Sequence, residues 1–259
     1  MSRRAVAPEA ALRAIIDQAA ERLRADLSRT QRPTPALPAA REGEHERDPV
    51  IDELLWSYLV WEAGETRAAP RFAAIAEQYV DLNDLRVGLP ADIAGVIGVT
   101  YPKAAERTER LLATLNDIFH REHAVSLSHL TELPKRKAKA YLASLEAIPA
   151  YVATRVGLVA LGIHGLPLDE RLTALLAADH AVPEGHAADA AAGWAERQVR
   201  SGEAIAASAA LEHWAGERRA AAGSRTVRAS SSRGVRPNGT PDTHATDAAS
   251  DGTTSTTEA

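Results

Sequence analysis

The sequence predicts an all-α protein, and three observations support this. The chain is 45% hydrophobic but only 4% aromatic, so its apolar content comes mainly from small and aliphatic residues. Alanine and leucine favour helices, whereas β-branched and aromatic residues favour strands. Apolar residues also recur at helical spacing, with capping residues or prolines where many of the segments begin. We therefore expect a helical protein with a substantial core.

Composition excludes several classes of protein. The 259 residues include no cysteine, which rules out disulfides, thiolate nucleophiles and cysteine-ligated metal clusters. No apolar run approaches the ~20 residues of a membrane span, and the N-terminus lacks a signal-peptide core. We expect a cytoplasmic protein with no membrane partner. A net charge of −5 argues mildly against strong non-specific DNA binding but does not exclude a local basic face.

Three regions are predicted along the chain. Residues 1–47 contain an amphipathic helix over 9–27, followed by a proline-rich linker. Residues 48–220 form the compact helical domain. From 221 to 259 the composition falls to Ser, Thr, Ala, Gly and Asp, which is typical of a disordered tail.

The helices of the domain are predicted from caps and apolar spacing. Asp48 followed by Pro49 predicts a helix start, because aspartate caps helices and proline suits their first position. Asn83 is expected to cap a short turn. Further helices are predicted over 70–80, 90–97, 102–121, 135–145, 150–161, 169–178, 187–200 and 203–219.

Residues 145–172 carry the most specific pattern. They predict a helix end, a tight turn, a second and very apolar helix that ends at Gly162, and a loop that brings Asp169 to the start of another helix. A helical hairpin is a very common element, and an aspartate at this place is often only a helix cap. The turn alone favours that ordinary interpretation.

The whole run nevertheless resembles the helix-hairpin-helix and trailing aspartate of the endonuclease III-like DNA glycosylases, over roughly 48–178. The resemblance implies a two-lobed helical fold in which the hairpin and the following helix N-terminus bind a DNA phosphate. The hairpin residues that match are Ala147, Ile148, Pro149 and Ala150. The family's two hairpin glycines are replaced by Ala147 and Pro149.

The resemblance also implies a chemistry. The family's catalytic aspartate falls on Asp169, where a carboxylate can orient water or stabilise the sugar cation that forms as a base departs. Bifunctional members carry a lysine that forms a Schiff base, and its position is occupied by Tyr151. Tyrosine cannot form an imine, so we expect base excision without lyase activity. The residue nearest to the family's base-wedging glutamine is Glu62.

A basic cluster precedes the hairpin. Lys135, Arg136, Lys137 and Lys139 are candidate phosphate contacts, although a solvated helix face explains them equally well. The histidines lack the carboxylates that would complete a metal site. Since the chain has no cysteine, an iron–sulfur cluster is excluded, and no cofactor is expected.

The sequence leaves three hypotheses in order. The first is a monomeric, nucleoid-associated, monofunctional DNA N-glycosylase that acts on double-stranded DNA with a damaged or mispaired base. The second is a non-catalytic helix-hairpin-helix DNA-binding protein. The third is a helical interaction protein that no longer contacts DNA. Pocket residues are scattered over several helices, so the lesion cannot be read from the sequence.

Overall fold

The computed structural model describes residues 7–27 and 48–231, and side chains as far as Ala222. Within these residues it contains eleven α-helices and no strand, which confirms the predicted all-α class. Internal contacts divide the chain into the units Met1–Ala220 and Ala221–Ala259. The predicted linker and the end of the predicted tail lie outside the described residues. The helices are α1 Pro8–Leu27, α2 Pro49–Val60, α3 Glu65–Gln78, α4 Leu82–Val87, α5 Pro90–Ile97, α6 Ala104–Glu122, α7 Lys135–Ala143, α8 Ala150–Leu161, α9 Glu170–Ala178, α10 Ala188–Glu196 and α11 Ala204–Ser231.

Helix α1 belongs to the same core as the rest of its unit. Its apolar stripe, Leu12, Ile16 and Ala19, is buried within the single hydrophobic cluster of the described residues. At its exposed edge, Arg13 pairs with Glu203 at 2.9 Å. The stripe that predicts this helix from the sequence is therefore also the face that it buries.

Helix α2 lies at the centre, against α8, α3 and α6. Its cap is the predicted Asp48, whose Oδ1 accepts the N–H groups of Val50 at 2.9 Å and Ile51 at 3.3 Å. The other oxygen accepts the Ser126 hydroxyl at 2.7 Å and the Leu127 N–H at 2.6 Å. One carboxylate thus begins the helix and attaches it to a loop almost eighty residues away.

Two helix starts differ from the sequence prediction. Helix α3 begins at Glu65 rather than Pro70, because the apolar stripe that includes Ala68 and Phe72 continues before the proline. Pro70 is tolerated on the exposed side. Helix α4 is capped by Asp81 instead of Asn83, and its carboxylate accepts the Asp84 N–H at 2.8 Å. Both differences come from choosing among neighbouring signals of similar strength.

Arg107 of α6 is fully buried and secures the end of α2. Its guanidinium donates to the carbonyl oxygens of Tyr58 and Trp61, and to that of Pro102 at 2.8 Å. Burial lowers its pKa to about 10. This arginine fixes the turn between α2 and α3, which carries Glu62. Among the described residues, no helix is long and apolar enough to cross a membrane.

Candidate functional site

The predicted hairpin is formed by α7, the turn 144–149 and α8. Ala147 adopts a left-handed conformation with φ of 56°, a region in which glycine is favoured over residues with a Cβ. Its neighbours hold it there: Thr114 donates its hydroxyl to the Glu146 carbonyl at 2.7 Å, and Arg110 donates to the Ala147 carbonyl at 3.3 Å. Asp117 accepts the Glu146 N–H at 2.8 Å. The turn therefore forms without its glycines.

The N-terminus of α8 is open to a ligand. Its cap is Pro149, which offers no side-chain hydrogen bond. Ala150, the first residue of the helix, is exposed. Within the described residues, no acceptor is recorded for the first N–H groups of α8, so they remain available to an anion.

We predict that replacing Ala147 by glycine stabilises the protein. Removing the Cβ relieves left-handed strain of about 1–2 kcal/mol, while the added freedom of the unfolded chain offsets about 0.4–1 kcal/mol. Urea unfolding should show a net gain of about 0.5–1 kcal/mol. The matched control is Ala150→Gly in the first turn of α8, where the same change should destabilise. A loss of equal size in both variants would contradict the prediction.

The basic cluster is not brought to the hairpin turn. Lys135 opens α7 at its far end, about 13 Å from the turn for nine residues of helix, and donates to the Gly162 carbonyl at 2.5 Å. Lys139 lies 3.9 Å from Glu196. Only Arg136 and Lys137 are exposed with no recorded partner among the described residues. Their role in DNA binding stays a prediction.

Asp169 lies at the start of α9, with its side chain fully enclosed. One oxygen accepts the Leu172 N–H at 2.8 Å, which is the capping bond expected of an aspartate at this position. The other accepts the Glu62 N–H at 2.7 Å and lies 3.4 Å from the Arg171 guanidinium. The carboxylate is thus fixed in position by three donors.

Glu62 completes a reciprocal contact with this helix. Its backbone has φ of 59°, and its carboxylate accepts the N–H groups of Glu170 at 2.9 Å and Arg171 at 3.2 Å. Burial and the nearby charge of Asp169 raise the pKa of Glu62. We call this pair of contacts the Glu62–Asp169 latch. The latch covers the carboxylate that the sequence singles out.

Tyr151 lies behind the latch and is buried. Its hydroxyl donates to Glu212 at 2.9 Å, and Arg171 contacts both oxygens of Glu212 at 2.8 Å. Burial raises the pKa of Glu212, and the charge of Arg171 offsets part of that rise. Glu212 lies on α11, 61 residues from Tyr151, and no local sequence signal marks it.

Acids outnumber arginines around this site. Arg155 of α8 binds Glu53 at 3.0 Å and Glu65 at 3.1 Å, and it faces the Glu212 side of the same cluster. An excess of carboxylates in a buried region favours a positive charge that develops nearby. Within the described residues, no group of side chains is arranged to hold a metal ion. The acids of this cluster are Glu53, Glu62, Glu65, Asp169 and Glu212, and its two central guanidinium groups belong to Arg155 and Arg171.

Comparison with solved structures identifies the fold. The chain is similar to endonuclease III trapped as a covalent intermediate with DNA, with a TM-score of 0.53, 11% identity, and coverage of 79% of this chain and 84% of the other. It is also similar to a thermostable thymine-DNA glycosylase, with a TM-score of 0.51, 16% identity, and coverage of 79% and 86%. No family profile and no curated protein sequence matches the chain. The chain therefore has the endonuclease III-like DNA glycosylase fold, as the resemblance of residues 48–178 predicts.

Proposed function

We propose that the protein is a monofunctional DNA N-glycosylase of base-excision repair, acting as a monomer on nucleoid DNA that carries a damaged or mispaired base. The observation that carries this proposal is the position of Asp169. Its carboxylate is held at the start of α9, close to the Tyr151 end of the helix that leaves the hairpin. A DNA-binding turn and a fixed negative charge are therefore adjacent.

The chemistry follows from that charge. As the N-glycosidic bond breaks, the base leaves with the bonding electrons and the deoxyribose becomes cationic. Asp169 stabilises this cation, water adds to the anomeric carbon, and the proton released from the water balances the one that the departing base takes up. Tyr151 has no amine, so no imine forms and the strand stays intact.

The latch sets a condition on this reaction. Since the Asp169 side chain has no exposed surface, the turn that carries Glu62 must move before a base-bearing sugar can reach it. Enzymes that act on bases extrude the target nucleotide from the duplex. We propose that the flipped nucleotide displaces Glu62 from α9 as it enters.

The test is base release by the full chain from a panel of duplexes, each carrying one lesion or mismatch. We expect at least one duplex to yield free base and an abasic strand that breaks only after alkali treatment. Borohydride should trap no covalent adduct. No release from any duplex would overturn the proposed activity, and a trapped adduct would overturn the assignment of Tyr151.

A second candidate function is non-catalytic DNA binding, which the closed latch favours. In that case the hairpin binds duplex DNA while Asp169 serves only as the cap of α9 and the partner of Glu62. Duplex binding without base release across the whole panel would select this function. Absence of both would leave only a helical interaction protein.

A further inference from the structure

We propose that Arg67, Arg71 and Arg219 form a second phosphate-binding site, which holds the DNA backbone on the other side of the latch from the hairpin. The inference rests on the proposed function, because it assigns the same duplex to this surface. We call these residues the three-arginine cluster. None of the three belongs to the basic run over 135–139 that the sequence singles out.

The cluster converges on Tyr101 and the turn before it. The Arg67 guanidinium lies 5.3 Å from the centre of the Tyr101 ring. A Cβ atom added at Gly98 would lie 3.6 Å from the Arg71 guanidinium. Arg219 donates to the Ala63 carbonyl at 3.0 Å. Two helices and one loop thus place three cations around one aromatic residue.

The three cations lack anionic partners. Within the described residues, no carboxylate is recorded in an ion pair with any of them, whereas most surface arginines of this chain have one. Arg67 and Arg71 lie one turn apart on α3, and like charges at that spacing repel. Partial burial and the charge of Arg67 lower the pKa of Arg219. The cluster therefore has an uncompensated positive charge.

The neighbouring loop adds further donors. The Tyr101 N–H bonds back to the Gly98 carbonyl at 2.8 Å. Val99 and Thr100, between them, are exposed. Among the described residues, no acceptor is recorded for the N–H group of either. Guanidinium groups with free backbone N–H donors are the groups that bind phosphate oxygens.

A row of cations and aromatic rings connects the cluster to the hairpin. The buried Arg107 lies 4.9 Å from the Tyr101 ring and 5.5 Å from the Trp61 ring. Arg110 lies 5.8 Å from that same Trp61 ring and bonds to Ala147 in the hairpin turn. The hairpin and the cluster therefore flank the turn that carries Glu62. A duplex that contacts both would lie across the latch.

The experiment measures binding of a fluorescent undamaged duplex to the full chain as a function of salt. Changing all three arginines of the cluster to glutamine should weaken binding about tenfold or more at 100 mM salt. It should also reduce the steepness of the salt dependence by about one to two units, as expected when one or two phosphate contacts are lost. The control of equal charge change is Arg136→Gln with Lys137→Gln and Arg200→Gln, for which we expect less than a threefold change.

The outcomes separate this inference from the proposed function. If the wild-type chain binds no duplex, the proposed function fails and this inference fails with it. If the wild-type chain binds, and the cluster and control variants lose affinity equally, only this inference fails. Thermal melting checks that the cluster variant folds. The single variant Arg71→Gln, at a residue without a recorded polar partner, should still weaken binding several-fold.

Discussion

Replacing Asp169 by asparagine is expected to slow base release by at least about a hundredfold. Removing one preorganised electrostatic group from an active site typically costs 10²–10³ in rate. Asparagine keeps an oxygen that can still accept the Leu172 N–H and cap α9. The helix should therefore survive while the negative charge is lost. Single-turnover base release from the most reactive duplex of the panel measures the effect.

The control is a second capping aspartate that lies away from the latch. Asp81 caps α4 by accepting the Asp84 N–H at 2.8 Å, so Asp81→Asn makes the same chemical change in a similar local setting. We expect base release by Asp81→Asn to match that of the wild type, and both variants to bind duplex DNA within about twofold of it. If Asp169→Asn releases base at the wild-type rate, Asp169 is a structural cap and the reaction needs another carboxylate.

Features set by neighbouring residues were predictable from the sequence. The caps Asp48 and Asp169, the proline that begins α5 and the glycine that ends α8 follow from rules that act within one helical turn. The hairpin was predicted even though its glycines are lost, because the two helices around it are strongly patterned. The conformation of Ala147 was not, since contacts from α6 impose it.

Contacts between distant residues could not be predicted in the same way. Glu62 joins Asp169 across 107 residues and Glu212 joins Tyr151 across 61, and no periodicity connects such positions. The three-arginine cluster has the same origin, because Arg219 comes from the last helix and Arg67 from the third. Charge runs are visible in one dimension, whereas a cluster assembled from separate helices appears only in the folded chain.

Replacing Arg155 by methionine is expected to lower the free energy of unfolding by about 3–5 kcal/mol at pH 7. The Arg155 side chain is 7% exposed and binds Glu53 at 3.0 Å and Glu65 at 3.1 Å. Removing one partner of a buried ion pair leaves an uncompensated charge, which costs about that much. The loss would detach α8 from α2 and α3. Urea unfolding measures it, and Arg136→Met, at an exposed residue of α7, should change stability by less than about 0.5 kcal/mol.

The loss should shrink as the pH falls. Burial raises the pKa of Glu53, and Arg155 offsets part of that rise, so the variant's Glu53 should have a higher pKa still. A carboxyl whose folded pKa exceeds its unfolded value of about 4.3 takes up its proton in the folded state first. Stability therefore rises as the pH falls from 7 towards 5. The double variant Glu53→Gln with Arg155→Met should recover part of the loss at pH 7 and show a weaker pH dependence. A loss that is equal at pH 7 and pH 5 in the single variant would mean that lost packing, rather than the unpaired carboxylate, destabilises the fold.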